Sequence, residues 1–300
     1  MVLSFRVVRQ AWGLLRDASA QWYEHDPFQL AAALAYYTVF SLTPLLTIAI
    51  AIAALVFGQE AAQNQIVGGL GELIGEASAK AIQDAIRAAS MNKEGGLLAA
   101  SAGALVLLLG AAGVVGQLQQ SLNFIWNVKV RSSVGWRMFI RDRLLSFALV
   151  LAIGFLLLVS LVVTTVVSAL TAYFSDLLPG STYLWHTVDI VVSFGLVTVL
   201  FAMIYKILPD VQLTWRDVAI GATITSLLFT VGKFLIGFYL GHATISSTYG
   251  AAGSFVTLLI WVYYSALIFF YGAEITQVYA TQYGSGVVPT PIAKHNQEPG

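Results

Sequence analysis

Apolar residues in this chain are gathered into six long stretches, and the segments between them carry most of the charged residues. A helix needs about 20 apolar residues to cross the roughly 30 Å hydrocarbon core of a bilayer. Each stretch reaches that length; together they cover residues 30–57, 97–124, 144–173, 187–208, 218–240 and 253–280. The pattern therefore predicts an all-α polytopic membrane bundle of six transmembrane helices.

Two further segments show helical periodicity but lack the long apolar run of a membrane span. Residues 3–23 repeat apolar side chains at helical spacing, with arginines on another face, which predicts an amphipathic N-terminal helix. Such a helix either lies on the inner leaflet or packs beneath the bundle, and both arrangements fit the pattern. Residues 58–96, between the first two spans, predict an outer helical segment.

The chain after Gly284 changes character, because it is polar and contains Pro289, Pro291 and Pro299. Segments that cannot bury much apolar surface tend to remain disordered. We therefore expect a single transmembrane domain over residues 1–284 and a disordered cytoplasmic tail over residues 285–300.

The composition supports a membrane protein and narrows the chemistry. Hydrophobic residues make up 58% of the chain and charged residues 10%, against about 25% charged in soluble domains. The chain has no Cys, its four His are scattered, and Gly232 and Lys233 are followed by Phe234 rather than by the Ser or Thr of a P-loop. We expect no cofactor, no metal, no nucleic-acid partner and no enzymatic activity; the expected partners are membrane lipids.

The placement of Lys and Arg predicts the orientation. If the N-terminus is cytoplasmic, the inner segments contain Arg6, Arg9, Arg16, Lys129, Arg131, Arg137, Arg141, Arg143, Lys206, Arg216 and Lys294. The outer segments then contain only Lys80, Arg87 and Lys93. Cytoplasmic loops carry the excess of Lys and Arg, so this bias places both termini in the cytoplasm, as in a multi-pass protein of the bacterial inner membrane.

Polar groups inside the predicted spans are costly in lipid and mark candidate sites. Pro44 removes a helical hydrogen bond in the first span, and a helix broken there can line a cavity or can simply kink. The candidate cavity and transport residues are Tyr37, Pro44, Gln117, Gln120, Asp189, Lys233, Tyr263 and Glu274.

Three hypotheses concern particular members of this set. Lys233 and Asp189 lie at similar depth and are expected to pair, unless Lys233 extends towards the outer surface alone. The polar stripe of the fifth span is expected to face the bundle; it consists of Thr223, Ser226, Thr230, Lys233, Gly237 and Gly241. Glu274, near the inner end of the last span, is either a proton or substrate site or a carboxylate bonded to helix ends.

A basic cluster lies in the second inner loop. Its arginines are Arg131, Arg137, Arg141 and Arg143. The cluster is explained by topology, and the same residues are candidates for binding anionic lipid headgroups.

Several sequence words resemble the YihY/BrkB family of bacterial inner-membrane proteins. They are AAALAYYTVFSLTP (31–44), QQSLNFIW (119–126), YKILPD (205–210), GAAGS (250–254), LIWVYYS (259–265) and YGAE (271–274). The resemblance extends over nearly the whole chain and implies a six-span bundle with a substantial outer segment. It carries over no catalytic residues, and the old ribonuclease label of some members finds no support in this sequence.

Two main functions follow from these observations. The first is a transporter or lipid flippase that moves a lipid, an envelope precursor or a small solute without its own ATPase. The second is a homo-oligomeric scaffold of the envelope, for which Gly237 and Gly241 provide a close helix contact. A membrane-embedded enzyme is a third hypothesis, which a tight polar cluster with a bound metal would favour.

Overall fold

The computed structural model describes residues 2–39, 41, 58, 64, 83, 113–130, 181–242 and 253–296. Within these ranges the chain is mostly helical. The helices are α1 (Val2–Glu24), α2 (27–39), α3 (113–125), α4 (Ser181–Ile207), α5 (Trp215–His242) and α6 (Gly253–Gln282). The strands are β1 (Val128–Val130), β2 (Val211–Gln212), β3 (Val288–Pro289) and β4 (Ala293–His295).

Three helices are long and apolar enough to cross a membrane. The spanning stretches are Ile190–Ile207 in α4, Trp215–Tyr239 in α5 and Phe255–Gln282 in α6. They coincide with the fourth, fifth and sixth predicted spans to within a few residues, because the length of an apolar run is a local property. The first three predicted spans and the outer segment lie mainly outside the described residues.

Local sequence signals explain where several helices begin and end. Pro27 begins α2, where a residue without an N–H is tolerated, and Asp26 before it adopts a left-handed conformation at φ 49°. Thr214 caps α5, since its hydroxyl accepts the N–H of Asp217 and donates to that carboxylate. After α6 the chain reverses at Gly286, whose φ of +79° favours glycine.

The chain divides into two compact units. The first includes the described residues within 1–21, 122–230 and 272–300, and the second those within 22–121 and 231–271. Thus α1, α3, α5 and α6 each contribute to both units.

The predicted disorder of the tail is wrong for residues 285–296. In this segment β3 pairs with β2 and β4 pairs with β1, both antiparallel. Ile292 and Ala293 are buried, and the Thr290 amide donates to the Asp210 carbonyl over 3.0 Å. The tail is ordered because short strands elsewhere in the chain complete its backbone hydrogen bonds, which its own polar composition does not reveal.

The predicted N-terminal helix is confirmed as α1. Leu14 and Ala18 are buried and Leu15 is exposed. Asp17 accepts a hydrogen bond of 3.0 Å from Gln282, at the end of α6. This bond, followed by that from Arg16, lowers the pKa of Asp17 below its ordinary value. One side of α1 is therefore packed against protein.

Candidate functional site

Two helices of the first unit pack through a reciprocal pair of glycines and threonines. Gly221 of α5 lies against Thr276 of α6, and Gly272 of α6 lies against Thr225 of α5. Each threonine hydroxyl donates to the glycine carbonyl one turn earlier in its own helix, over 2.7 and 2.8 Å. The absence of a side chain at each glycine allows the close approach, and the internal bonds satisfy the hydroxyls without water.

A tyrosine of α4 completes this contact. The Tyr205 hydroxyl lies 3.2 Å from the Thr225 hydroxyl, and both side chains are wholly buried. A β-carbon added at Gly272 would lie 2.7 Å from the Tyr205 hydroxyl. Three candidate spans therefore meet around one small polar cluster inside an apolar environment.

The sequence contains a signal for this contact that the pattern of spans did not reveal. The pentapeptide Gly-Ala-x-Ile-Thr occurs as GATIT at 221–225 and as GAEIT at 272–276. The spacing of four residues puts each glycine and threonine on one side of its helix. The repeated word could have identified α5 and α6 as close neighbours.

Glu274 is the central residue of the second pentapeptide and is wholly buried. It lies two residues after Gly272, which turns its side chain about 200° away from the α5 contact. Phe270 and Val278, one turn away on either side, are also buried. Glu274 precedes the end of α6 by about 12 Å, so its carboxyl group lies inside the apolar stretch of a candidate span.

Two further polar atoms of the first unit are buried as well. The Ser226 hydroxyl and the Oε1 atom of Gln277 have no hydrogen-bond partner among the residues that the structure describes. Gln277 lies one turn after Glu274 on α6. Buried polar atoms of this kind are uncommon and call for a functional explanation.

A second polar contact joins two of the family words. Asn123, at the end of α3, donates from its side-chain amide to the Asp210 carboxylate over 2.7 Å. The Asp210 backbone N–H donates to the Asn123 side-chain oxygen over 2.8 Å. Both side chains are buried, and the sequence analysis assigned them no role, because 87 residues separate them.

The segment between α4 and α5 is held by further contacts. Lys206 donates to the carbonyl of Leu213, and its ammonium lies 5.7 Å from the centre of the Trp215 ring. The Asp217 carboxylate accepts hydrogen bonds from the Ser285 hydroxyl and amide over 2.7 and 3.2 Å. The first turn of α5 is thereby tied to the tail.

The expectation that the polar stripe of the fifth span faces the bundle is wrong for three of its six members. Thr223, Lys233 and Gly237 are exposed, Thr230 is half-buried and Ser226 is wholly buried, while the surroundings of Gly241 lie outside what the structure describes. The packed side of α5 instead carries the glycine and threonine of the pentapeptide. Small and polar residues occur on both sides of α5, so their spacing alone did not distinguish the sides.

The other candidate residues of the second unit are dispersed. Tyr37 is exposed, and its ring lies against Gly113, one turn before Gln117. Gln117 donates to the Ser121 hydroxyl over 3.2 Å, whereas Gln120 is exposed. Tyr263 of α6 is half-buried.

Several predicted site residues are not among the residues that the structure describes. Pro44 and the basic cluster of Arg131, Arg137, Arg141 and Arg143 lie outside the described residues, as does the side chain of Asp189. The expected Lys233–Asp189 pair therefore stays a prediction. In the part of the chain that the structure describes, no three His, Asp or Glu residues cluster as metal ligands do.

Long apolar helices, glycine-mediated helix packing and a buried carboxyl group inside a candidate span define an α-helical integral membrane protein. The family model described as Virulence factor BrkB matches residues 18–296. The chain belongs to this family, and the resemblance inferred from its sequence words is confirmed.

Curated relatives agree with this assignment. The chain is 28% identical over 266 residues to the putative ribonuclease-like protein YfkH of Bacillus subtilis, covering 87% of the chain and 93% of the relative. It is 28% identical over 283 residues to the UPF0761 membrane protein RSc1559 of Ralstonia nicotianae, covering 92% of the chain and 62% of that longer relative. The description of the family names no catalytic activity, and no solved structure matches the chain.

Proposed function

We propose that this protein is a membrane transporter that moves a lipid, an envelope precursor or a small solute across the inner membrane. The observation that carries the proposal is the burial of Glu274 inside the apolar stretch of α6. An ionisable residue at membrane depth is costly and typically serves ion or substrate movement. The buried polar atoms of Ser226 and Gln277, which have no partner among the described residues, belong to the same unit as Glu274.

The energy source follows from the sequence. The chain has no P-loop, so uphill transport by this protein would use an ion gradient. Glu274 is the residue that we propose to bind and release the coupling proton. Gain or loss of one proton changes the charge inside the apolar stretch. This change alters the relative free energies of the conformations of the protein.

Replacement of Glu274 with glutamine tests this role. We expect reconstituted vesicles with the wild-type protein to move a labelled phospholipid between leaflets faster than empty vesicles, with a further increase under a pH gradient. Glu274→Gln keeps the shape but cannot bind a proton, so the rate is expected to fall by on the order of tenfold. The measurement is the reduction of leaflet-specific fluorescence with time.

Glu24→Gln is the matched control, because it makes the same change at an exposed position at the end of α1. We expect this variant to transport like the wild type. Equal loss in both variants, or full activity of Glu274→Gln, would rule out the proposed role of Glu274. Absence of movement with the wild-type protein would rule out lipid as the cargo.

A second candidate function is that of a homo-oligomeric envelope scaffold. The close packing at Gly221 and Gly272 favours it, because it brings three helices into direct contact. Absence of movement of lipids and of small solutes in the vesicle experiment would make the scaffold the better explanation.

We also propose that the chain spans the bacterial inner membrane six times with both termini in the cytoplasm. The three long apolar helices, the family and the bias of Lys and Arg support this arrangement. The polar contacts between Asp17 and Gln282 and between Asp217 and Ser285 would then lie near the inner membrane surface.

Single cysteines test the topology, because the natural chain has none and gives no background. Gln10 and Asn64 are both exposed. In spheroplasts, Asn64→Cys is expected to react with a membrane-impermeant maleimide, and Gln10→Cys only after permeabilisation. The reverse pattern, or equal reaction at both positions, would contradict the proposed orientation.

A further inference from the structure

The second half of α5, within the second unit, has a packed side and an exposed side. Gly232 lies against Ile268 and Tyr264 of α6, and Ile236 one turn later is buried. The other side exposes large apolar side chains, namely Val231, Phe234, Leu235, Phe238 and Tyr239. If α5 crosses the membrane, lipid would contact this exposed side.

A cation and a gap interrupt this apolar surface. Lys233 is exposed, and its ammonium lies 5.3 Å from the centre of the Phe234 ring. Gly237 follows one turn later, and a β-carbon added there would meet nothing within 4 Å. The surface therefore combines a positive charge, an aromatic ring and, at Gly237, an open space where other residues would carry a side chain.

The depth of Lys233 brings its ammonium within reach of lipid headgroups. Trp215 and Tyr239 are 60% and 58% exposed, and such aromatic residues favour the two membrane–water interfaces. Their separation of about 36 Å along α5 agrees with the roughly 30 Å hydrocarbon core. Lys233 is about 9 Å before Tyr239, so its long side chain can extend to the interface while its stem remains in the apolar region.

We propose that Lys233, Phe234 and Gly237 form a binding site for an anionic phospholipid. The headgroup phosphate pairs with the Lys233 ammonium, and one acyl chain occupies the gap at Gly237. The site is formed by the lipid-facing surface of α5, so it goes beyond the proposed transport function and does not depend on it.

Charge favours a lipid over the other possible occupants of this surface. A second copy that docked by the same surface would bring two Lys233 ammonium groups together in an apolar environment, which is unfavourable without a counter-ion. An apolar partner helix would bury the same charge unpaired. An anionic lipid supplies both the counter-charge and the apolar chain.

Native mass spectrometry of the purified full-length protein tests the site. The protein is incubated with equal amounts of phosphatidylglycerol and phosphatidylcholine, and the bound lipids are counted. We expect the wild type to retain phosphatidylglycerol about fivefold over phosphatidylcholine, the effect of one basic residue near an anionic headgroup. Lys233→Gln is expected to abolish this preference, and Lys233→Arg to keep it.

Two further variants separate charge from shape. Arg216→Gln removes one positive charge at an exposed position of the same helix, and its lipid preference is expected to match that of the wild type. Gly237→Leu fills the gap and keeps the charge, and it is expected to reduce the number of bound lipids. An unchanged preference in Lys233→Gln, or an equal loss in Arg216→Gln, would overturn the proposal.

The same mass spectra distinguish the lipid from the other possible occupants of this surface of α5. Competition by millimolar inorganic phosphate would overturn the lipid site in favour of a free anion. A wild-type dimer that Gly237→Leu converts to a monomer would overturn it in favour of a second copy of the chain. Retention of phosphatidylglycerol by a protein whose mass and lipid count are unaffected by phosphate supports the lipid site.

Discussion

Gly272→Ala is expected to destabilise the folded protein by about 3 kcal/mol. The added methyl group would overlap the Thr225 hydroxyl and lie 2.7 Å from the Tyr205 hydroxyl. Relief of this overlap requires α4, α5 or α6 to shift, and a shift breaks the bond between the two hydroxyls. The measurement is thermal unfolding of the detergent-solubilised protein, followed by tryptophan fluorescence.

Gly195→Ala provides the control for this substitution. Gly195 is in the middle of α4, and an added β-carbon there would meet nothing within 4 Å. Alanine is the better helix former, so this variant is expected to be neutral or slightly stabilising. Equal melting temperatures for Gly272→Ala and Gly195→Ala would show that the close contact at Gly272 does not control stability.

A double-mutant cycle shows where the overlap arises. Thr225→Ala removes one of the two hydroxyl groups next to Gly272, together with its bond to Tyr205. The loss of stability in the double variant, Gly272→Ala with Thr225→Ala, is expected to be smaller than the sum of the losses in the two single variants, because the substitutions share one contact. Additive effects would mean that Gly272 and Thr225 are energetically independent.

Asn123→Ala is expected to destabilise the protein by about 2 kcal/mol or more. The substitution removes both hydrogen bonds between Asn123 and Asp210, one of which is to a buried carboxylate. Loss of a donor to a buried charged group costs more than loss of a neutral hydrogen bond. Asn123→Asp is expected to be worse, because it places two carboxylates together.

Gln120→Ala, on the same helix, is the matched control for Asn123→Ala. Both substitutions remove a side-chain amide, but Gln120 is exposed. We expect its thermal unfolding to differ from the wild type by less than about 0.5 kcal/mol. Similar losses in the two variants would indicate that the contact with Asp210 makes no special contribution.

The contact of Gly272 with Thr225 and the contact of Asn123 with Asp210 together form a frame that joins the helices. The pentapeptides hold α5 to α6, and Asn123 holds the end of α3 to the segment after α4. Glu274 lies on the side of α6 away from the pentapeptide contact. In the proposed transporter, the frame would stay fixed while the surroundings of Glu274 change with its protonation.

The sequence by itself determined the elements that depend on local composition. The apolar runs identified α4, α5 and α6 because a bilayer requires a minimum length of apolar helix, and that length can be counted along the chain. Helical periodicity identified α1, because periodicity is also a local property of the sequence. The sequence words identified the family. The structure shows that Glu274 is buried, and its role as a site residue stays a prediction.

Only the tertiary structure decided which residues meet. The order of the tail depends on strands much earlier in the chain: β4 pairs with β1, which begins 165 positions before it, and β3 pairs with β2, which begins 77 positions before it. The stripe that contains Lys233 and the side that contains Thr225 have similar composition, and only the position of α6 distinguishes the exposed side from the packed one. Asn123 and Asp210 form a pair because the fold brings them together, and no periodicity along a chain encodes a contact across 87 residues.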